Sequence, residues 1–328
     1  MDRIQNKTVL VTGGAGFIGS NLCEDLLKNG NQVRCLDNFS TGRRENIEGF
    51  LTNTSFTLLD GDIRELQDCR GAVKGVDIVL QQAALGSVPR SINDPLLTNS
   101  VNVSGFLNML VAARDAGVSR FVYAASSSTY GDSEALPKVE DLIGQPLSPY
   151  AVTKYVNELY AHVFGLNYGM DLIGLRYFNV YGRRQDPKGA YAAVIPKFIM
   201  QLMAHESPVI DGDGKNSRDF THIDNVIAMN HLAALTENRA ARGQVFNTAV
   251  GERADLTTMV QLLKEHLSVY DEQIAAIPVL YGTARKGDIP HSLASIKKAK
   301  DILGYEPLVR FEEGLKKTVD WYWPNTRR

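Results

Sequence analysis

The chain has 328 residues, of which 44% are hydrophobic and 22% are charged, a composition typical of a globular protein with a large core. The formal net charge is −2, and because nucleic-acid binding usually shows as a basic excess or patch, we expect no nucleic-acid partner. Three scattered cysteines favour reduced thiols over a disulfide framework, and six dispersed histidines without ligand-like spacing predict no metal site.

Short apolar strands alternate with helical patterns from the N-terminus onward. The pattern predicts strands at 8–13, 32–37, 56–62, 77–83, 121–126 and 172–178, and helices at 21–30, 101–117 and 150–169. Strands separated by helices indicate βαβ units, so we expect an α/β fold with a Rossmann-type doubly wound parallel sheet.

The alternation becomes looser after about residue 180, where turn signals at 186–189 and 211–216 precede one further strand at 244–250. We expect residues 1–180 to form a Rossmann domain that binds a dinucleotide and to which the strand near 244–250 returns. Residues 181–328 would form most of a smaller α/β substrate lobe, interleaved with the first domain and separated from it by a cleft.

A glycine-rich loop, GGAGFIG, lies between the first strand and the first helix. Three of its glycines have the spacing GxxGxxG: Gly13, Gly16 and Gly19. They would let the backbone approach a pyrophosphate, whose charge is met by the helix N-terminus. Asp37 ends the second strand, where a carboxylate binds an adenosine ribose and repels a 2′-phosphate, which favours NAD over NADP. Asp62 and Ile63, at the end of the third strand, fit an adenine contact, although acids often simply end strands.

The sequence SPYAVTK places Tyr150 and Lys154 four residues apart at a predicted helix start, with Ser148 as N-cap and Pro149 in the first turn. An exposed pair on a helix surface is the simpler interpretation. Downstream of a dinucleotide loop, however, the pair would lie beyond the carboxyl ends of the strands, where such folds bind ligands. A nearby ammonium favours phenolate, which makes Tyr150 a usable base. Ser126 is placed to hydrogen-bond a substrate hydroxyl, although serine runs also suit turns.

The chain resembles the extended short-chain dehydrogenase/reductase family over essentially its whole length. The motifs that carry this resemblance are GGAGFIG (13–19), DNFSTG (37–42), SSSTYG (126–131), YAVTK (150–154), LRYFNVYG (175–182), GDGKNSRDFTHIDN (212–225) and RKGDIPHS (285–292). Within the family it most resembles nucleotide-sugar 4-epimerases, and QAALGSVPRS (82–91) and RRQDPKGAYAAVIP (183–196) are similar to bacterial UDP-N-acetylglucosamine 4-epimerases.

The resemblance implies that Tyr150 is the base, that Lys154 holds the nicotinamide ribose and that Ser126 contacts O4 of the sugar. It implies these contacts to NAD: Gly13, Gly16, Phe17, Ile18, Gly19, Asp37, Asn38, Ser40, Gly42, Asp62, Ile63, Gln81, Ala83, Tyr150, Lys154 and Tyr177. It implies these contacts to the substrate: Gly86, Ser87, Ser126, Ser127, Tyr150, Asn179, Gln185, Ala193, Val194, Arg218, Arg285, Asp288 and Ser292. The two arginines would pair with the diphosphate and Asp288 with the uridine ribose.

Two positions depart from the family pattern. Gln81 stands where the family usually has histidine, and we expect cofactor binding to survive because glutamine also donates and accepts hydrogen bonds. Val101 replaces a polar residue that often faces the cofactor.

The implied reaction is the reversible 4-epimerisation of UDP-N-acetylglucosamine and UDP-N-acetylgalactosamine. Tyr150 would take the C4 hydroxyl proton as hydride passes to NAD+, and the 4-keto sugar would turn over before the hydride returns to its other face. Ser292 aligns with a bulky tyrosine in epimerases confined to UDP-glucose and UDP-galactose, so the serine leaves room for an acetamido group.

Three alternatives share the fold. A sugar 4,6-dehydratase is disfavoured because that family has an Asp-Glu pair at the positions of Ser127 and Ser128. A UDP-glucuronate or N-acetylglucosaminuronate 4-epimerase, or a decarboxylase, stays open because the core motifs are shared. A NAD-sensing or scaffold protein is disfavoured because such members often lose the tyrosine or the lysine, and both are present here.

We expect a homodimer formed through the helices near 101–117 and 150–169, through which related enzymes pair. The apolar residues offered for this interface are Phe106, Met109, Leu110, Leu159, Val163 and Phe164, and the alternative is that all six belong to the intramolecular core. The N-terminus leads directly into a strand and no apolar run approaches about 18 residues, so we expect no membrane partner and a cytoplasmic location.

Overall fold

The computed structural model describes residues 2–188, 193–283 and 291–326. The helices are α1 (Phe17–Lys28), α2 (Leu66–Ala72), α3 (Val88–Asn93), α4 (Pro95–Asn99), α5 (Phe106–Asp115), α6 (Pro149–Tyr168), α7 (Val194–Met203), α8 (Ile223–Leu235), α9 (Leu256–Ser268), α10 (Lys297–Leu303) and α11 (Phe311–Asn325). The strands are β1 (Thr8–Thr12), β2 (Gln32–Asp37), β3 (Phe56–Asp60), β4 (Ile78–Gln81), β5 (Arg120–Ser126), β6 (Leu172–Tyr177), β7 (Val180–Tyr181), β8 (Val209–Asp211), β9 (Ser217–Arg218), β10 (Thr221–His222), β11 (Val245–Thr248), β12 (Ala254–Asp255) and β13 (Leu280–Gly282).

Seven strands of the described chain form one parallel sheet in the order β11-β6-β5-β4-β1-β2-β3. The strands are apolar on both faces because both faces are covered. Within β1, Val9 and Val11 pack toward α1 and α8, whereas Leu10 packs toward α2, α5 and α6. This arrangement confirms the predicted Rossmann-type doubly wound sheet.

A smaller core forms among α7, α9 and α11, and it includes Ile199, Leu263 and Leu315. The same half of the chain also returns to the large sheet. Strand β11 pairs with β6, and α8 packs against α1 and the strands. The parallel sheet therefore depends on α8 and β11, which lie in sequence between α7 and α9 of the smaller core.

Helix α1 and strand β3 have different bounds from those predicted. Helix α1 begins at Phe17 rather than at 21, because Gly16 has extended backbone and acts as the N-cap. Strand β3 ends at Asp60, so Asp62 and Ile63 lie in the loop that follows it.

The helix predicted at 101–117 has two parts. A π-helical segment at Ser100–Gly105 joins α4 to α5, so that the helical run from Pro95 to Asp115 is 21 residues long with a mean hydropathy of 1.3 in its most apolar window. This run has the length and composition of a membrane span, which the sequence analysis did not expect. Its inner residues, among them Phe106 and Met109, are at most 2% exposed and pack in the core under the sheet.

The residues offered for a dimer interface divide into two sets. Four of the six are core residues, so their assignment to the interface is wrong: Phe106, Met109, Leu110 and Phe164. They are buried because α5 and α6 cover the sheet with a wider apolar stripe than one face was expected to need. Leu159 and Val163 are 48% and 46% exposed on the opposite side of α6.

Candidate active site

The glycine loop between β1 and α1 is shaped by contacts that exclude side chains. Gly13 has a φ of +64°, and a Cβ there would lie 2.9 Å from the Ala83 backbone. A Cβ on Gly19 would lie 2.1 Å from the Gly13 carbonyl oxygen, which also accepts the Gly16 N–H at 3.0 Å. The loop therefore stays close to the sheet and leaves the N-terminus of α1 open toward the cleft, a geometry that suits a pyrophosphate.

A cleft of about 460 Å³ extends from this loop across the carboxyl ends of the strands. Eleven of the expected cofactor residues line it: Gly13, Gly16, Phe17, Ile18, Gly19, Asp37, Asn38, Ser40, Asp62, Ile63 and Ala83. Four expected substrate residues also line it: Gly86, Ser87, Gln185 and Ala193. Val101, the departure noted above, also lines it, as do Arg90 and Asp186, which sequence reasoning missed.

Asp37 lies at the end of β2 with only 7% exposure. Its Oδ2 accepts the Ala15 N–H at 2.9 Å and its Oδ1 accepts the Phe39 N–H at 2.8 Å. Burial raises the pKa of this carboxyl, and the two backbone donors oppose that rise. A Cβ on Gly42 would lie 2.7 Å from Oδ1, so Gly42 keeps the carboxylate accessible at the position expected for a ribose.

Asp62 is held in the ionised form by its neighbours. Arg64 Nη2 donates to Asp62 Oδ2 at 2.6 Å and Asn38 Nδ2 donates to the same oxygen at 2.8 Å. The hydrogen bond from Arg64 is the main cause of the lowered pKa of Asp62. Ile63 is 4% exposed, and its Cδ1 would lie 2.7 Å from a Cβ on Gly105. Ile63 thus packs deeper in the core than an adenine cover alone requires.

Gln81 and Tyr177 were expected to contact the cofactor, but their side chains bond within the protein. Gln81 Oε1 accepts the Thr12 hydroxyl at 2.7 Å, and its Nε2 donates to the Ala83 carbonyl at 3.3 Å. Thr12 Oγ1 in turn accepts the Ala83 N–H at 3.1 Å. The Tyr177 hydroxyl donates to Gln82 Oε1 at 3.0 Å. Gln81 therefore shapes the loop that lines the cleft, while its own side chain is buried.

Tyr150 and Lys154 share the first turns of α6, which begins at the predicted N-cap, Ser148. The Lys154 Nζ lies 5.9 Å from the Tyr150 ring centroid and donates to the Ala124 carbonyl at 2.9 Å. Burial lowers the pKa of Lys154 to about 8. Burial also raises the pKa of Tyr150, and a hydrogen bond with Ser126 lowers it. The pKa of Tyr150 is thus raised where a fall was expected, because burial disfavours charge on both groups.

Ser126 ends β5 and is 8% exposed. Its Oγ accepts the Ser128 N–H at 3.2 Å and the Ser128 hydroxyl at 2.9 Å. Ser127–Tyr130 form a 3-10 turn, and the Ser127 side chain is partly exposed. Ser128 therefore has the turn role that the serine run suggested, and the Ser126 hydroxyl proton is directed toward the hydrogen bond with Tyr150.

Two expected substrate residues have backbone in the left-handed region. Ser87 has a φ of +93°, and its Oγ accepts the Arg90 N–H at 3.3 Å at the start of α3. Asn179 has a φ of +34°, and its Nδ2 donates to the Asp219 carbonyl at 3.1 Å. Strain of this kind in residues other than glycine concentrates at functional sites.

Ser292 and Arg218 are brought together by a short backbone pairing. The Ser292 N–H donates to the Ser217 carbonyl at 3.0 Å, which places it next to Arg218 in β9. Asp219 is fully buried and accepts the N–H groups of Val250 at 2.9 Å and Ala294 at 3.3 Å. Burial raises the pKa of Asp219 to about 6. This carboxylate anchors both sides of the pairing.

The remaining expected substrate residues have different outcomes. Val194 begins α7 and packs against the core of the second lobe instead of lining the cleft, because it starts the apolar face of that helix. Arg285 and Asp288 lie outside the described residues.

An ionic cluster connects the two sides of the cleft. Glu24 on α1 pairs with Arg184 at 2.9 Å and with Arg183 at 3.5 Å, and Asp186 pairs with Arg43 at 3.3 Å. Burial opposes ionisation of Glu24, but the hydrogen bonds and positive charges of Arg184 and Lys28 together outweigh it and lower the pKa of Glu24 to about 2. The ion pairs thereby hold Arg183 and Arg184 against α1, the helix that follows the glycine loop.

Asn102 is a buried polar residue beside the site that sequence reasoning missed. It lies in the π-helical segment with 1% exposure, and its Oδ1 accepts the Leu85 N–H at 2.7 Å. Its Nδ2 donates to Thr153 Oγ1 at 3.1 Å, and Thr153 donates to the Tyr150 carbonyl at 2.8 Å. One amide thus connects the cleft wall to the turn that carries Tyr150. An asparagine between two valines in the largely apolar run VNVSGFLNML was the signal that could have found it.

Comparison with known proteins gives one consistent family. Residues 9–249 match the family described as the NAD dependent epimerase/dehydratase family. A putative UDP-glucose 4-epimerase from Methanocaldococcus jannaschii is 36% identical over 321 residues, which are 97% of this chain and 99% of that protein.

Two solved structures are similar over nearly the whole chain. A UDP-N-acetylglucosamine 4-epimerase from Methanobrevibacter ruminantium M1, in complex with UDP-N-acetylmuramic acid, has a TM-score of 0.90 and 36% identity and covers 98% of this chain and 100% of its own. A UDP-glucuronic acid 4-epimerase from Bacillus cereus, in complex with UDP-glucuronic acid and NAD, has a TM-score of 0.85 and 31% identity and covers 96% of this chain and 98% of its own. With the glycine loop, Asp37 and the cleft between them, these similarities show that the chain is an enzyme of the NAD dependent epimerase/dehydratase family and that its cofactor is NAD.

Proposed function

We propose that this protein interconverts UDP-N-acetylglucosamine and UDP-N-acetylgalactosamine by epimerisation at C4. The observation that carries the proposal is the size of the residues at the substrate end of the site. Gly86, Ser87 and Ala193 line the cleft with little or no side chain. By the family resemblance, Ser292 replaces the bulky tyrosine of epimerases confined to UDP-glucose and UDP-galactose, which would crowd the C2 substituent. An N-acetylated sugar needs this space, and hydroxyl groups nearby offer its amide hydrogen bonds.

The chain's own residues supply the proton transfer in this proposal. Hydride transfer to and from C4 of the sugar is the chemistry that NAD would supply when bound. Tyr150 takes the proton of the C4 hydroxyl and gives it back on the other face, and the Lys154 ammonium stabilises the phenolate. Ser126 hydrogen-bonds O4 of the sugar without giving up its proton, so Tyr150 is the group that takes the C4 hydroxyl proton.

Other residues hold the two nucleotides in place. Gly13, Gly16 and the N-terminus of α1 receive the pyrophosphate of NAD, and Asp37 accepts from its adenosine ribose. Arg218 pairs with the diphosphate of the substrate, for which its planar fork is suited. Gln185 Oε1 is buried without a hydrogen-bond partner in the described part of the chain, so it is ready to accept from a substrate donor.

A uronic-acid substrate is the second candidate. Arg90 lines the cleft near Ser87, and a guanidinium at the sugar end suits a carboxylate. The similarity to the Bacillus cereus UDP-glucuronic acid 4-epimerase also supports a uronic-acid substrate. A decarboxylase acting on such a sugar also remains within this candidate.

The test is to incubate the purified holoenzyme separately with UDP-GlcNAc, UDP-Glc and UDP-GlcA and to follow the anomeric signals by nuclear magnetic resonance. We expect UDP-GalNAc to appear at the highest kcat/KM. Faster turnover of UDP-GlcA would overturn the proposal in favour of the second candidate. Bound NAD without turnover of any substrate would instead favour a sensing or scaffold role.

We also propose a homodimer formed through the outer face of α6. Four exposed apolar residues recur at helical spacing on this face: Val152, Leu159, Val163 and Leu166. Leu96 on the adjoining α4 is 83% exposed and extends the patch. Leu159→Glu combined with Val163→Glu is expected to convert a dimeric mass to a monomeric one in light scattering. Val269→Glu, at an 82% exposed site after α9, is the matched control, and a monomeric wild type would contradict the proposal.

A further inference from the structure

A buried ion pair lies directly behind the turn that carries Tyr150 and Lys154. Arg176 on β6 donates to both carboxylate oxygens of Glu158 on α6, through Nε at 2.9 Å and through Nη2 at 2.7 Å. The two side chains are 4% and 6% exposed. A fully desolvated bidentate pair is not needed to stabilise a fold, because well-packed apolar residues often do so at least as well. Its position next to the site therefore calls for a functional explanation.

The same guanidinium also reaches the serine turn. Arg176 lies 4.8 Å from the centroid of the Tyr130 ring, and Tyr130 ends the turn that begins after Ser126. The Arg176 Nη1 donates to the Glu140 carbonyl at 2.9 Å. One cation thus contacts α6, the serine turn and the loop that follows it.

The network continues to the segment that carries Ser292. The Tyr130 hydroxyl donates to Asn247 Oδ1 at 2.7 Å, and Asn247 Nδ2 donates to the Ser295 carbonyl at 2.9 Å. The Asn247 N–H donates to Glu140 Oε1 at 2.9 Å. The three segments that bear expected catalytic and substrate residues therefore meet on the Arg176–Glu158 pair and its partners.

Glu158 follows Lys154 by four residues, so the two side chains lie on one face of α6. The Lys154 ammonium is buried at 4% exposure, where a charge without compensation is costly. We propose that Glu158, fixed by Arg176, is a positioning residue that keeps the Lys154 side chain charged and directed toward Tyr150. The inference rests on the proposed roles of Tyr150 and Lys154.

The direction of the effect follows from the charges around Lys154. Burial lowers the pKa of Lys154 to about 8, and the charge of Glu158 is the influence that raises it. The other titratable groups that face this region are Tyr150 on α6, Tyr123 on β5 and Arg176 on β6, and of these only Arg176 carries a charge near neutral pH. Without the Glu158 charge, Lys154 would lose its proton at a lower pH. The form of the enzyme that supports a Tyr150 phenolate would then disappear sooner as the pH rises.

The experiment compares Glu158→Gln with Glu140→Gln in the holoenzyme. Glu140 is a matched control because it is also buried, at 5% exposure, and belongs to the same network, yet its charge does not act on Lys154. We expect the basic limb of the kcat/KM profile to move down by about one pH unit in Glu158→Gln and to stay in place in Glu140→Gln. Equal displacement in both variants, or none in either, would overturn the proposal.

A double variant separates charge from fold damage. Glu158→Gln with Arg176→Gln removes the carboxylate together with the unpaired cation, so we expect the basic limb to return part of the way toward wild type. A larger displacement in the double variant than in the single one would mean that misfolding, and not charge, causes the effect. This too would overturn the proposal.

A measurement without turnover separates this inference from the proposed function. The Lys154 Cε signal in protein labelled with 13C-lysine, assigned with Lys154→Met, reports the protonation of this side chain directly. We expect its titration midpoint to fall in Glu158→Gln by about the same one unit. An unchanged midpoint would overturn the inference whatever the substrate, whereas a wild type inactive on every UDP-sugar with a shifted midpoint would contradict the proposed function alone.

Discussion

Gly19 lies against the Gly13 carbonyl in the glycine loop, so Gly19→Ala directly tests the geometry of that loop. A methyl group at Gly19 would lie 2.1 Å from the Gly13 carbonyl oxygen and 2.7 Å from the Gly14 Cα, both backbone atoms. Relief requires the start of α1 to move away from β1, for which overpacking costs of about 3 kcal/mol are typical. Alanine recovers about 1 kcal/mol because it is a better helix former than glycine. The free energy of unfolding is therefore expected to fall by about 2 kcal/mol.

The control is Gly71→Ala in α2, where an added Cβ meets nothing within 4 Å. The same chemical change is expected to stabilise the protein there by about 0.5–1 kcal/mol. Urea unfolding measures both values, and the NAD retained through gel filtration reports whether the loop still holds the cofactor. We expect Gly19→Ala to lose NAD and Gly71→Ala to keep it. A Gly19→Ala protein that matches Gly71→Ala in stability and NAD content would refute the loop geometry described here.

Three further predictions concern the catalytic pair, the substrate end and the ionic cluster. Tyr150→Phe is expected to lower turnover about 10³-fold while NAD stays bound, because phenylalanine keeps the packing but accepts no proton; near-normal turnover would remove Tyr150 from the role of base. Ser292→Tyr is expected to lower turnover of UDP-GlcNAc about 100-fold and to spare UDP-Glc, and a parallel loss on both substrates would make the residue structural. Glu24→Gln is expected to lower the free energy of unfolding at pH 7 by at most about 3 kcal/mol. The pKa of Glu24 falls from 4.5 to about 2 on folding, so this stabilisation is present above pH 4.5 and is lost as the pH falls toward 2. If the urea midpoint of Glu24→Gln differs from that of the wild type by the same amount at pH 7 and at pH 3, the prediction is contradicted.

Periodicity and motif context predicted the strands and the residues at their carboxyl ends. Each predicted strand of the first half is present, because a strand covered on both faces must be apolar throughout and so stands out from its surroundings. Ser148 and Pro149 gave the start of α6 because capping depends on local sequence alone.

Features that depend on distant contacts could not be predicted in the same way. Phe106 and Leu159 are equally apolar in sequence, and only the packing of α5 and α6 on the sheet decides which is buried. The pKa of Tyr150 was expected to fall because the sequence shows its neighbour Lys154. The sequence does not show that both groups are buried, and burial raises the pKa of Tyr150. The partners of Gln81 and Asn102 likewise come from other strands and helices.

The return of β11 to the edge of the sheet has a consequence for how this protein can be divided. A fragment that ends near residue 180 would lack β11, so β6 would become an open parallel edge. The backbone groups of β6 at Gly174, Leu175 and Arg176 would then have no partner strand. It would also expose the apolar surface that α8 covers. Such a fragment is expected to aggregate when expressed alone and to become soluble only if residues 181–328 are supplied in trans. The two lobes are therefore not interchangeable modules, and a new substrate preference is more readily acquired by replacing loops at the cleft than by exchanging a whole lobe.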